Sequence, residues 1–100
     1  METNSLCLLI VDDEEAARYG IRRALESLAA EMSEAESAEA ARALMRERAF
    51  DLLLLDVNLP GISGLDFFTE IQTATDNQAE APLVIVITAH GSERLQATWF

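Results

Sequence analysis

Three aspartates and a threonine stand where apolar runs of this sequence end. Asp12 and Asp13 close the run 6–11, Asp56 follows Leu52, Leu53, Leu54 and Leu55, and Thr88 ends the run 83–88. Singly, each has a bland role open to it. Acids ahead of a helix cap its free N–H groups and complement its dipole, at about 0.3–1 kcal/mol each. A turn aspartate bonds its own backbone. Brought together, three carboxylates repel, and like charges sharing a site push one pKa upward. A divalent cation offsets that repulsion. An all-oxygen donor set suits Mg²⁺, which keeps several waters and takes one or two carboxylates with phosphate oxygens. Thr88 adds a hydroxyl donor for an anionic ligand, so the set suits a phosphoryl group held on or near Asp56.

These residues converge only if the chain folds in a particular way. The run 6–11 and the run 50–55 read as strands buried on both faces, and 83–88 ("LVIVIT") as a β-branched, fully apolar one. Glu31–Ala35 is a short, weakly apolar strand candidate. Between them, Ala17, Ile21, Ala24, Leu25 and Leu28 recur at helical spacing. Ser37 can cap a second helix carrying Ala38, Ala41, Leu44 and Met45. After a turn at Pro60 and Gly61, Ser63 or Gly64 opens a third helix, with Leu65, Phe68, Ile71 and Gln72 in period. Residues 73–82 form a loop, and Gly91 and Ser92 start a last helix running to Phe100. Strand–helix alternation of this kind builds a parallel sheet through right-handed crossovers. Ligands of such sheets sit outside the carboxyl ends of the strands, where the four polar residues fall.

Length and composition bound the rest. One hundred residues, half of them apolar, make one modest domain with a real core. Eighteen acidic residues against seven basic ones give a net charge of −11, which argues against direct nucleic-acid contact. All seven basic residues are arginines. The single Cys7 lies in an apolar run, where a small inert core residue is the expectation. No apolar stretch approaches the roughly 20 residues of a membrane span, and "METNS" carries no signal-peptide pattern. A cytoplasmic location is the resulting expectation.

The segments "LLIVDDE", "DLLLLDVNLPGISGLD" and "PLVIVITAHGS" resemble, in order and separation, the signature segments of bacterial two-component response-regulator receiver domains. "ITAHGS" is similar to receivers attached to sigma-54-dependent transcription activators. The resemblance implies an α/β, flavodoxin-like parallel sheet in strand order 2-1-3-4, with residues 1–100 one receiver domain. It implies a signalling switch, not a turnover enzyme: Asp56 takes a phosphoryl group from a sensor histidine kinase, and an output domain outside this chain responds. Asp13 would ligate Mg²⁺ directly and Asp12 partly through water, with Asp56 and the backbone carbonyl of Asn58 completing the metal set. Thr88 would bond a phosphoryl oxygen, Ala89 would leave it access, and His90 would face solvent.

The departures are as specific. Receivers carry a lysine at the end of a fifth strand, and this sequence has no lysine. The reading therefore has the fifth strand and fifth helix missing, with Trp99 and Phe100 on or beyond the fourth helix. An open β4 edge is a template for pairing, so homodimerisation or a domain swap is expected, with lowered stability. Phosphorylation without the lysine is expected to be slow. Two other functions fit part of the pattern. One is a non-phosphorylated, receiver-like interaction module. The other is a phosphatase similar to the haloacid dehalogenase hydrolases, whose second acid would fall at Asn58.

Overall fold

In the computed structural model, residues 6–28, 31–74, 82–90 and 94–99 are described, with side chains at 6–28, 31–73 and 82–87. The elements are β1 (Cys7–Val11), α1 (Glu15–Leu25), β2 (Glu31–Ala35), α2 (Ala38–Glu47), β3 (Leu52–Asp56), α3 (Gly64–Ala74), β4 (Leu83–His90) and β5 (Arg94–Trp99). They form one sheet in the order β2-β1-β3-β4-β5. The first four strands are parallel, as the alternation requires.

The leucine run explains itself through the pleat. Successive side chains point to opposite faces. Leu53 and Leu55 join Leu9, Val11, Val84 and Val86 under α2 and α3, with Phe67 and Ile71 of α3. Leu54 joins Leu8 and Ile10 on the α1 face, packed by Ile21, Leu25, Ile85 and Ile87. Each fully buried leucine contributes about 1.5–3 kcal/mol, which a strand covered on both faces collects at every position. Ser37 caps α2 as expected, its Oγ accepting the Ala40 amide at 3.1 Å. Ser63 does the same for α3, accepting from Asp66 at 3.1 Å.

Four expectations are corrected. Residues 94–99 are not helical: they form β5, which runs antiparallel to β4 and pairs Ile85 with Trp99 and His90 with Arg94. Leu95, Ala97 and Trp99 alternate with Arg94, Gln96 and Thr98, a period of two that suits a strand. β5 adds an antiparallel strand at the β4 edge, while the parallel strands keep the expected order 2-1-3-4. The β4 edge that motivated dimerisation is paired within the chain. Residues 91–93 and Phe100 lie outside the described residues, as does most of the 73–82 loop.

The other two corrections concern helix faces. Helix α1 ends at Leu25, so Leu28 does not extend its apolar face and is 67% exposed. The buried stripe of α3 is Phe67 and Ile71, while Leu65 is 46% exposed. Gly64 lies against the β3 backbone, and the positions three and seven residues on, Phe67 and Ile71, are in the core.

Candidate functional site

The carboxyl ends of β1 and β3 bring Asp12, Asp13 and Asp56 together, with one carboxylate oxygen from each lying within 4.8 Å of the others. Adjacent strands in register do this: Val11 is paired with Leu55, so the next residue of each strand emerges side by side. The chain is held there by backbone bonds. The Asp12 amide donates to the Ala35 carbonyl at 3.0 Å, and the Val57 amide to the Ile87 carbonyl at 3.1 Å.

Local turns fix the side chains. The Asn58 amide donates to Asp56 Oδ1 at 3.1 Å, and the Glu14 amide to Asp12 Oδ1 at 2.9 Å. Both are two-residue aspartate turns, the role the bland reading gave Asp56; Asp12, read there as a capping acid, instead accepts from the amide of Glu14, the residue just ahead of α1. The turn bonds and the crowding of the three carboxylates therefore coexist.

Burial pushes the Asp56 carboxyl above its ordinary pKa. The Asn58 amide opposes this, and the charges of Asp12, Asp13 and Glu14 add to the rise. Asp12 is raised for the same leading reason, with the Glu14 amide opposing and the Asp13 charge adding. Three crowded carboxylates with two raised pKa values are the electrostatic signature of a site that gains by taking up positive charge.

The donor set fits a hard divalent cation. The three carboxylate oxygens, within 4.8 Å of one another, could be drawn onto one such cation directly or through a bridging water. Asp12, Asp13 and Asp56 are the residues that would hold it. Thr88 stands one position beyond Ile87, the register partner of Asp56, on the strand next to β3. Its side chain, with those of Ala89 and His90, lies outside the described residues.

Sequence reasoning missed three residues that shape the site. Gly64 was read only as a helix start. A Cβ there would lie 2.2 Å from the Asp56 carbonyl oxygen and 2.7 Å from Val57 Cα. Its amide donates to the Val57 carbonyl at 2.8 Å, tying α3 to the strand end. Arg18 donates to the Asp12 carbonyl at 2.7 Å, and Glu34 holds Arg18 from β2 at 2.9 Å. Nothing in the local spacing announced either partner. A cavity of 330 Å³ opens beside the carboxylates, lined by Ala17, Gly20, Ile21 and Ala24 of α1 with Ile87. At the opposite end of the sheet, burial and Glu31 push the Cys7 thiol up, which suits the inert role expected of it.

Comparison with known proteins agrees with this geometry. The family model of the response regulator receiver domain matches residues 8–99. The chain is 43% identical over 70 residues to the virulence sensor protein BvgS of Bordetella pertussis, covering 70% of this chain and 6% of that protein. It is 35% identical over 92 residues to the transcriptional regulatory protein ResD of Bacillus subtilis, covering 92% of this chain and 36% of that protein. Among solved structures, the response regulator protein TrrA of Thermotoga maritima, in complex with Mg²⁺ and BeF, superposes with a TM-score of 0.72. It is 32% identical, with 84% of this chain and 70% of that chain covered. The chain thus spans well under half the length of the curated relatives it matches.

Proposed function

The chain belongs to the response regulator receiver domains, and from that membership and the acidic site we propose that it is a phosphoacceptor switch charged on Asp56 by a sensor histidine kinase. The convergence of Asp12, Asp13 and Asp56 carries this reading. An Asp56 carboxylate oxygen attacks the phosphorus of a phosphohistidine. The P–N bond breaks, its electron pair stays on the imidazole nitrogen, and that nitrogen takes up a proton. The product is an aspartyl phosphate. Bound at Asp12, Asp13, Asp56 and the Asn58 carbonyl, Mg²⁺ would neutralise charge on the transferring group.

The chain's own residues supply position. The Asn58 amide holds one Asp56 oxygen, which leaves the other to attack. The Thr88 hydroxyl, one position past the register partner of Asp56, would bond a phosphoryl oxygen and carry the change into β4. The response passes to an output domain or partner. Receiver domains are signalling switches, and this one is read as a single-turnover acceptor, acting in the cytoplasm. No described helix is long and apolar enough to cross a membrane.

Incubation with acetyl phosphate, or with a phosphorylated histidine kinase, tests the reading by intact mass. The expected result is one phosphoryl group per chain, dependent on Mg²⁺ and absent from Asp56→Asn. A chain that gains no phosphoryl group and shows no Mg²⁺-dependent response to beryllofluoride would be an unphosphorylated interaction module instead. Multiple turnover of a phosphomonoester would favour the hydrolase.

A further inference from the structure

Arg18 is nearly buried, its side chain 14% exposed, and it bridges three elements. From α1 its Nη1 donates to the Asp12 carbonyl at 2.7 Å, and its Nε to Glu34 Oε1 on β2 at 2.9 Å. The other Glu34 oxygen accepts from Arg22 Nη1 at 2.7 Å. The Asp12 peptide is therefore pinned on both sides, its amide to Ala35 and its carbonyl to Arg18.

The orientation of the guanidinium matters as much as its presence. A guanidinium carries its donors in a rigid fork. With its Nε held by Glu34, Arg18 turns Nη1 to the Asp12 carbonyl. A cation paired with the Asp12 carboxylate would compete with a metal for that oxygen. Among the described residues, no cation hydrogen-bonds a carboxylate oxygen of Asp12, Asp13 or Asp56.

We propose that Arg18, oriented by Glu34, is a positioning residue that fixes the Asp12 peptide so that its carboxylate faces Asp13 and Asp56 for a divalent cation. This rests on the reading of the acidic site as a cation site. The proposal opposes simple electrostatics, and that makes its sign testable. Removing a positive charge beside three carboxylates should by itself strengthen cation binding. Losing the anchor should weaken it, as removal of groups that orient metal ligands commonly does by about tenfold or more.

Isothermal titration of the metal-free chain with Mg²⁺, at fixed pH and ionic strength, reads the outcome. Arg18→Gln is expected to bind about tenfold more weakly than wild type, and Arg18→Lys, which keeps the charge but not the fork, to fall between. Arg22→Gln is the control. It loses the same charge and a bond to Glu34 without touching Asp12, so its affinity stays near that of wild type. Urea midpoints measured in parallel separate folding from binding. A lower midpoint with unchanged affinity makes Arg18 merely structural and overturns the proposal, as does tighter binding by Arg18→Gln. Should Arg18→Gln fail to fold, Arg18→Lys is judged by the same criteria. Wild type that binds no Mg²⁺ sinks the reading of the site, and this proposal with it.

Discussion

Among the described residues, the face of the sheet under α2 and α3 holds a single cluster of thirteen buried residues, from Leu9 and Val11 through Phe67 to Val86, four of them on the helices themselves. On the other, α1 covers three, Leu8, Ile10 and Leu54, and α1 has no buried residue of its own. The same strands feed both faces, so strand chemistry does not account for the difference. Among the described residues, two helices lie on the first face and one on the second. The thicker face sets α3, and through Gly64 the end of β3. The thinner face carries α1, the Arg18 anchor and the cavity beside the carboxylates. The acidic site thus stands between a densely packed face and a sparsely packed one with a cavity beside it.

Core truncation should separate the faces most strongly. Phe67 is 1% exposed, at the centre of the α2–α3 cluster. Phe67→Ala is expected to cost about 3–5 kcal/mol, a large share of a stability of roughly 5–15 kcal/mol. Ile21 on α1 is only half-buried, and Ile21→Ala should cost about 1 kcal/mol. Urea unfolding at neutral pH measures both. Equal losses would mean that the two faces are equally consolidated.

Two glycines sharpen the same contrast with opposite signs. Gly64→Ala must displace α3 or the Asp56 peptide, because the new Cβ has only backbone to meet. A loss of about 1–3 kcal/mol is expected, together with weaker labelling of Asp56. Gly20, mid-way along α1, has nothing within 4 Å of a Cβ position. Gly20→Ala should therefore stabilise by about 0.5–1 kcal/mol through helix propensity and lost unfolded-state freedom. A destabilised Gly20→Ala would show that the space beside α1 is filled in solution.

Much of this was legible in the chain, for reasons that follow from period and position. The parallel sheet came from three apolar runs and one weak strand candidate separated by helical patterns, its strand order from the family resemblance, and the convergence of Asp12, Asp13 and Asp56 followed from topology. Ser37 declared its helix because a cap acts within three residues. What stayed illegible depends on contacts distant in sequence. The stripe of α3 was read as Leu65, Phe68, Ile71 and Gln72; Ile71 is buried and Phe68 packs at the core edge, but Leu65 is exposed and Phe67 is the most buried of the helix's described side chains. Residues 94–99 were taken for a helix, although "RLQATW" alternates, because the expected helix followed the motif order. The partner of Arg18, Glu34, lies sixteen residues away on β2, beyond the reach of any local pattern.

The smallest effects lie in the pH dependence, where the acidic edge and the α2–α3 face should titrate in opposite directions. Asp12 and Asp56 have raised pKa values in the folded chain, chiefly through burial. Above those values both states are ionised and the fold bears the whole repulsion. As pH falls through them the folded state takes up protons first, so stability rises until the ordinary carboxylate range near about pH 4. Glu70 is lowered by its paired bonds to Arg42, so its contribution is complete above that range and is lost as pH falls below it. Stability measured against pH in EDTA should therefore peak near the ordinary carboxylate values. Asp56→Asn should raise stability at neutral pH and flatten the upper limb, and Mg²⁺ should do the same to the wild type. Glu70→Gln should flatten only the lower limb. An upper limb that neither Asp56→Asn nor Mg²⁺ alters would place the titrating charge outside the acidic site. The crowding of Asp12, Asp13 and Asp56 would then cost the fold nothing.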